Sequence, residues 1–298
     1  MALPSILRVR KRAPEAGSPS SDHASRRKEA GAPDISQADI KRSTKSRRVF
    51  IIIASLSYLL AFVFLILVVI GNTSNKPVLR DIYFFKLDLA DILPLSVPNA
   101  TLINSIARTL GLHDFYQVGL WNFCEGYQNE GVTSCSEPES LYWFNPVSII
   151  MDELLAGATI ALPTEVVTLL DILRLVSRLM FGFFITGTVL TFVLIFATPI
   201  VVYSRWWSLP FAIISFISVL LIVAASIIAT VISLVFKYAA ESQSDLNIHA
   251  YIGVRMMVFM WLASGFALLA FAIHSGLGCC CTSRRDIKIG LRRVKRAG

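Results

Sequence analysis

Apolar positions along the chain gather into four long blocks, with polar, charged and turn-forming residues between them. Residues 49–70 form a run of 22 without a charge, about 33 Å long as a helix and so able to cross a hydrocarbon core of about 30 Å. The stretches 179–202, 211–236 and about 252–274 have the same character. In lipid a lone segment satisfies its backbone only as a helix, so the pattern predicts an all-α membrane protein built as a four-helix transmembrane bundle.

Spacing adds detail around the blocks. Val166, Leu169, Leu170 and Leu173 recur at i, i+3, i+4 and i+7, which predicts an amphipathic helix over 164–177 that runs into the second span and supports the loop before it. In the third span Ser215, Ser218, Ile222, Ala225 and Ala229 make a mostly small stripe able to admit a neighbouring helix. Ile82-Tyr83-Phe84-Phe85 and Val97, near Pro94 and Pro98, predict short strands or irregular extended chain.

Charge orients these elements. The chain of 298 residues is 55% hydrophobic with net charge +8, too apolar for an ordinary soluble domain. Residues 1–48 hold 12 Lys/Arg against 5 Asp/Glu, and 279–298 hold 7 against 1, whereas 71–178 hold 6 against 12. Excess Lys/Arg marks the cytoplasmic side, so both termini and the Arg205 turn between spans two and three are expected inside. Tyr203, Trp206 and Trp207 beside that turn suit headgroup depth. The segment 71–178 and the short 237–251 loop then lie outside.

The resulting organisation is a disordered, basic cytoplasmic tail over 1–48, a four-span bundle with its external loop domain over 49–278, and a second basic cytoplasmic tail over 279–298. The first tail contains Pro4, Pro14, Pro19 and Pro33 and no aromatic residue, as disordered segments do. No apolar stretch precedes Val49, and the run it opens is too long for a signal-peptide core, so it is expected to remain as an anchor.

Candidate chemistry is sparse. Arg255 is the one formal charge in the fourth run and lies about a turn from its outer end, where its side chain is expected to snorkel; His274 reads as interfacial at the inner end. Paired carboxylates, metal-ligand spacing, a phosphate-cradling glycine loop and a serine-nucleophile elbow do not stand out. This points away from an enzyme and calls for no cofactor. The basic ends lack the interleaved aromatics of nucleic-acid binders, which leaves topology determination and anionic inner-leaflet lipid as their roles. Asn99-Ala100-Thr101 is a glycosylation acceptor pattern at Asn99; Asn72-Thr73-Ser74 also fits but abuts the first span, where access is poor. Cys279, Cys280 and Cys281 follow the fourth span at the cytosolic face and are candidates for S-acylation.

The most informative motif is Gly119-Leu120-Trp121-Asn122-Phe123-Cys124, followed by Cys135. Outside the cytosol Cys124 and Cys135 can close a small disulfide loop, and the tryptophan beside them offers an aromatic anchor at a bilayer surface. Gly119, Leu120, Trp121, Cys124 and Cys135, with the four-span plan over 49–281, resemble the fungal SUR-seven/PalI family and, more distantly, the claudin superfamily, whose first external loop carries Gly-Leu-Trp followed by two disulfide-bonded cysteines.

The resemblance implies a left-handed bundle with a claudin-like external domain containing a small β-sheet. It also implies a non-enzymatic protein of plasma-membrane microdomains associated with eisosomes, acting in cortical organisation, endocytosis and cell-wall integrity. Its partners would be membrane lipids, further copies of the chain, or other cortical membrane proteins. The PalI branch implies instead assistance to an ambient-pH sensor. By carry-over, Trp121 would anchor the loop near the outer leaflet while the cysteines hold its fold. A channel or transporter is disfavoured by the shortage of intramembrane polar groups.

Overall fold

The computed structural model describes residues 37–90, 112–149, 164–198, 208–241 and 248–280. The predicted run 49–70 is the heart of helix α1, Gln37–Ile70, which is followed by strands β1 (Phe85–Asp88), β2 (Phe115–Val118), β3 (Phe123–Tyr127) and β4 (Gly131–Cys135). Then come α2 (Thr164–Ala197), α3 (Ser208–Glu241), β5 (His249–Ile252) and α4 (Val254–Cys280). Among the described residues, four helical stretches are long and apolar enough to cross a membrane: Arg48–Ile70, Val167–Ala197, Pro210–Glu241 and Val254–Gly276.

α1 starts at Gln37 rather than Val49, so residues 37–48, expected to belong to a disordered tail, continue the helix. The physical reason is cooperativity: the apolar run supplies the nucleus, and each further residue adds a hydrogen bond without repeating the nucleation cost. At its other end the helix stops at Gly71 and Asn72, where Asn72 takes a left-handed conformation with φ 59°. That conformation ends helices, and asparagine tolerates it better than most residues.

In the bundle α1 packs on α4 and α2, and α3 packs on α2 and α4. The small stripe foreseen on α3 is buried along its length at Ser215, Ser218, Ile222, Ala225 and Ala229. Gly187 of α2 meets it so closely that a Cβ there would lie 2.7 Å from the Ile222 side chain. Hydroxyls inside the bundle bond to their own helices, as from Thr191 to the Gly187 carbonyl and from Ser226 to that of Ile222. Others bridge helices: Ser226 to Ser264 at 3.0 Å and Thr191 to Ser218 at 3.2 Å. Bonds of this kind contribute about 0.6 kcal/mol each in membrane helices. Outward-facing residues such as Ile52, Phe196, Ile213 and Leu268 are exposed and apolar, as lipid contact requires.

At one end of the bundle sits an antiparallel sheet in the order β4-β3-β2-β1-β5. Four strands come from the α1–α2 segment. The fifth comes from the α3–α4 loop, where the sequence suggested only a short connection; β5 pairs with β1 in the register Phe85↔Ile252 to Asp88↔His249. Gly253 lets β5 turn into α4, because a Cβ there would collide with the Tyr83 carbonyl. Since both loops share this sheet, both lie on the same side of the bundle. On the inner face Phe85 stacks on Phe236 of α3 at 4.3 Å, with Phe144 edge-on to both.

The amphipathic extension 164–177 is helical as predicted, but its apolar stripe is only partly used. Leu173 and Val176 pack against the core whereas Leu169 is 67% exposed.

Candidate functional site: the tryptophan clasp

The hexapeptide occupies the connection between β2 and β3. Gly119 donates its amide hydrogen to the Asn122 carbonyl at 2.9 Å, which closes the reversal. Gly119 also lies against the end of α1: a Cβ there would stand 2.8 Å from the Asn72 Cβ and 3.1 Å from the Gly71 carbonyl oxygen. Glycine is therefore needed for close approach, and Leu120 next to it is fully buried. The loop rests directly on the helix terminus.

Trp121 completes the dock. Its indole N–H donates to the Val69 carbonyl at 2.8 Å. Val69 lies in the last turn of α1, where carbonyls have no partner within the helix. The Trp121 ring packs edge-on against Phe181 of α2, with centroids 4.6 Å apart. A residue expected at the bilayer surface thus joins the loop to two spans, with its one polar atom used inside the protein. The Trp121 carbonyl also accepts from the Glu139 amide at 2.8 Å, which holds the chain leaving β4.

Cys124 and Cys135 are directly opposed on β3 and β4 and form a disulfide. Just beyond Cys124 the register shifts between Glu125 and Gly126, and Gly131, at φ 79°, closes the hairpin. The Cys124 sulfur lies 3.2 Å from the Asn72 carbonyl oxygen. A disulfide sulfur carries no proton, so this is a packing contact, and it brings the bond to the same helix terminus that Trp121 caps.

Asn72, weighed in the sequence only as a poorly accessible glycosylation pattern, has a structural role that sequence reasoning missed. It is fully buried, its amide nitrogen donates to the Gln117 carbonyl at 3.0 Å, and its backbone N–H donates to the Leu79 carbonyl at 2.8 Å. The signal that could have found it was Gly71-Asn72 at the end of an apolar run, a helix-terminating pair. Burial also removes it as a glycosylation acceptor. Asn122, equally buried, donates through its amide nitrogen to the Ser136 carbonyl at 2.9 Å. Among the described residues, the side-chain oxygens of Asn72, Gln117 and Asn122 find no hydrogen-bond donor.

Charges around the clasp are mostly at its margins. Burial pulls the Lys86 ammonium below its usual range, with Asp88 partly offsetting, and its nitrogen sits 3.6 Å over the Phe115 ring. Burial raises the Tyr142 phenol well above its ordinary value, and the nearby Glu139 carboxylate adds to the effect. Arg255 forms a 2.6 Å ion pair with Asp81; both side chains are exposed, so the pair contributes little to stability. Its head is held by a loop carboxylate where snorkelling to lipid headgroups was expected. His274 departs further from expectation. It is buried and stacked on Tyr58 of α1, with centroids 5.6 Å apart.

Of the predicted site residues, Gly119, Leu120, Trp121, Cys124 and Cys135 come together at the top of α1. Asn99, Cys281, Trp206 and Trp207 lie outside the described residues. Cys279 and Cys280 fall in the last turn of α4, at the opposite end of the bundle. Among the described residues no three His, Cys, Asp or Glu side chains are grouped to hold a metal ion. What the clasp does is mechanical: a hydrogen bond ties the loop to the end of α1, a ring contact ties it to α2, and a covalent bond locks β3 to β4.

Comparison with known proteins adds a sequence context to this geometry. A sequence model of the SUR7/PalI family matches residues 50–273. Protein PUN1 of Saccharomyces cerevisiae is 27% identical over 227 residues, spanning 72% of this chain and 85% of its own. The SUR7 family protein pun1 of Schizosaccharomyces pombe is 25% identical over 252 residues, spanning 70% of this chain and 86% of its own. The family match extends from the first span to the fourth and contains the whole clasp.

Proposed function

We propose, from the premise that this chain belongs to the SUR7/PalI family of membrane proteins, that it is a non-enzymatic organiser of cortical plasma-membrane microdomains of the eisosome type, with roles in endocytosis and cell-wall integrity. The observation that carries the reading is the mounting of the loop domain. Trp121 and the Cys124–Cys135 hairpin hold the sheet against α1 and α2, and β5 ties it to α4. A loop so fastened presents a fixed surface beside the membrane, which suits lateral recognition better than turnover of a substrate.

On this reading the sheet faces outward and both termini are cytoplasmic, in keeping with the Lys/Arg excess at the two ends. Those basic ends contact anionic inner-leaflet lipid at about 1 kcal/mol per residue near the surface. Cys279, Cys280 and Cys281 accept long-chain acyl groups beside them, and Asn99 carries an N-glycan. Its partners are lateral copies of itself or other cortical membrane proteins. An acyl-exchange assay without a hydroxylamine-sensitive mass shift would remove the lipidation from this picture.

The deciding experiment images a tagged copy with a marker of cortical membrane domains. Coincident puncta that disperse on Trp121→Ala or Cys124→Ser are expected. A uniform distribution, indifferent to both changes, would overturn the proposal. Growth failure confined to alkaline medium after deletion would assign the chain instead to ambient-pH signalling as a receptor accessory.

A further inference from the structure

Among the described residues, the buried apolar side chains that cluster within the bundle fall into two separate groups along its length. The large one extends from the sheet down through Ala61, Ala225 and Met260, whereas at the end away from the sheet Tyr58, Leu194 and Ala270 are, among the described residues, the members of a second cluster, with Ile195, Phe211 and Ile214 packed around it. That cluster draws one or more residues from each of the four helices. A small core, separate from the main one, has fewer apolar contacts to lose on opening and belongs to the low-stability part of a structure.

The polar groups of this end converge on it. Tyr58 of α1 shares a 2.6 Å hydrogen bond with Ser215 of α3 and lies face to face with the His274 ring of α4. Tyr58, Ser215 and His274 are all at least nine-tenths buried, and among the described residues the His274 Nε2 has no hydrogen-bond partner. Just past the end of α2 the buried polar side chain is Thr198, whose hydroxyl donates to the carbonyl of Leu194, a member of the small cluster, and is thereby occupied. Among the described residues, the elements packed on this node present Tyr58, Ser215 and Thr198 and neither a carboxylate nor a cation. A proton added to His274 would leave a buried charge without a counterion, which is strongly destabilising to the packing that encloses it.

We propose that His274 is a proton-sensitive latch on the end of the bundle away from the sheet. Neutral, its ring completes the stack with Tyr58 and keeps the four helix ends together; protonated, it leaves the stack for water and the small cluster opens. Imidazole is the side chain whose ordinary charge change falls between about pH 5 and 8. Its opening frees the last turn of α4, which carries Cys279 and Cys280, and leaves the larger core and the sheet in place. The latch does not depend on the domain-organising reading, because its test requires no cell.

The test uses the full chain in lipid nanodiscs, with hydrogen exchange and thermal melting followed from pH 8 to 5.5. Three other histidines, His23, His113 and His249, are changed to glutamine so that His274 is the only imidazole. At low pH this protein should lose melting temperature and gain exchange, after correction for intrinsic rates, around Tyr58 and in residues 270–280, but not in residues 225–232 of α3. His274→Phe, or His274→Leu should the first not fold, should abolish both changes while matching the parent at pH 8. An acid response that persists without His274, or one spread evenly over both clusters, would overturn the proposal. Equal behaviour of the parent at both pH values would overturn it as well.

Discussion

Trp121 serves through an atom and a surface that can be separated by mutation. Its N–H reaches the Val69 carbonyl and its ring covers Phe181. Trp121→Phe should keep much of the ring contact and lose the hydrogen bond, costing about 1 kcal/mol in denaturant unfolding of the detergent-solubilised protein. Trp121→Ala should cost about 3 kcal/mol, since it also removes a large aromatic surface. Tyr142 gives a pH prediction. Its folded-state proton affinity is raised, so its contribution to stability is fully present below its ordinary value of 10.0 and falls away as pH rises above it, where the unfolded chain ionises first. Alkaline melts should therefore show a decline above pH 10 that is shallower in Tyr142→Phe. The tryptophan and cysteines were legible in the sequence because their chemistry is distinctive. Asn72 was hidden because its importance lies in a backbone conformation and in burial, which a lone Asn does not announce.

At the scale of elements, helices announced themselves and strands did so only in part. An apolar run in lipid has one way to satisfy its backbone, so each span could be located from sequence, with its ends shifted by a few residues or, in α1, by a longer helical lead from Gln37. A four-residue strand such as β5 has no such constraint, and it exists because β1 offers a free edge. Gly253→Ala should lever β5 from that edge; the measurable result is faster amide exchange at 249–252 and 85–88 with little change in the spans. Gly187→Val should act within the bundle. The added branch meets Ile222, already 2.7 Å from an ideal Cβ, and overpacking there should cost about 1–3 kcal/mol, read as a lower melting temperature.

The whole molecule is a membrane bundle with a covalently reinforced sheet on one end, and the two parts should fail separately. Cys124→Ser removes a short cross-link worth about 2–4 kcal/mol, and its effect should be confined to the sheet. Limited proteolysis should then cut between β3 and β4 while far-ultraviolet circular dichroism still reports intact helices. Loss of helix signal together with the loop would show that the clasp also supports the spans. The structure favours separation, since the helices pack mainly on one another, whereas β3 and β4 pack mainly on each other and β3 on β2.

By itself the sequence determined the membrane class, the four spans, the Trp121 motif and the cysteine pair able to bridge, because each follows from local composition or from a few distinctive side chains. Only the tertiary structure decided what those parts touch. It turned the Trp121 N–H onto the end of α1, took β5 from a distant loop into the sheet, paired Arg255 with Asp81 and buried His274 against Tyr58. Each of these joins residues far apart in the chain, and such contacts are fixed by how the helices and the sheet pack together, which no local pattern of apolar and polar residues encodes.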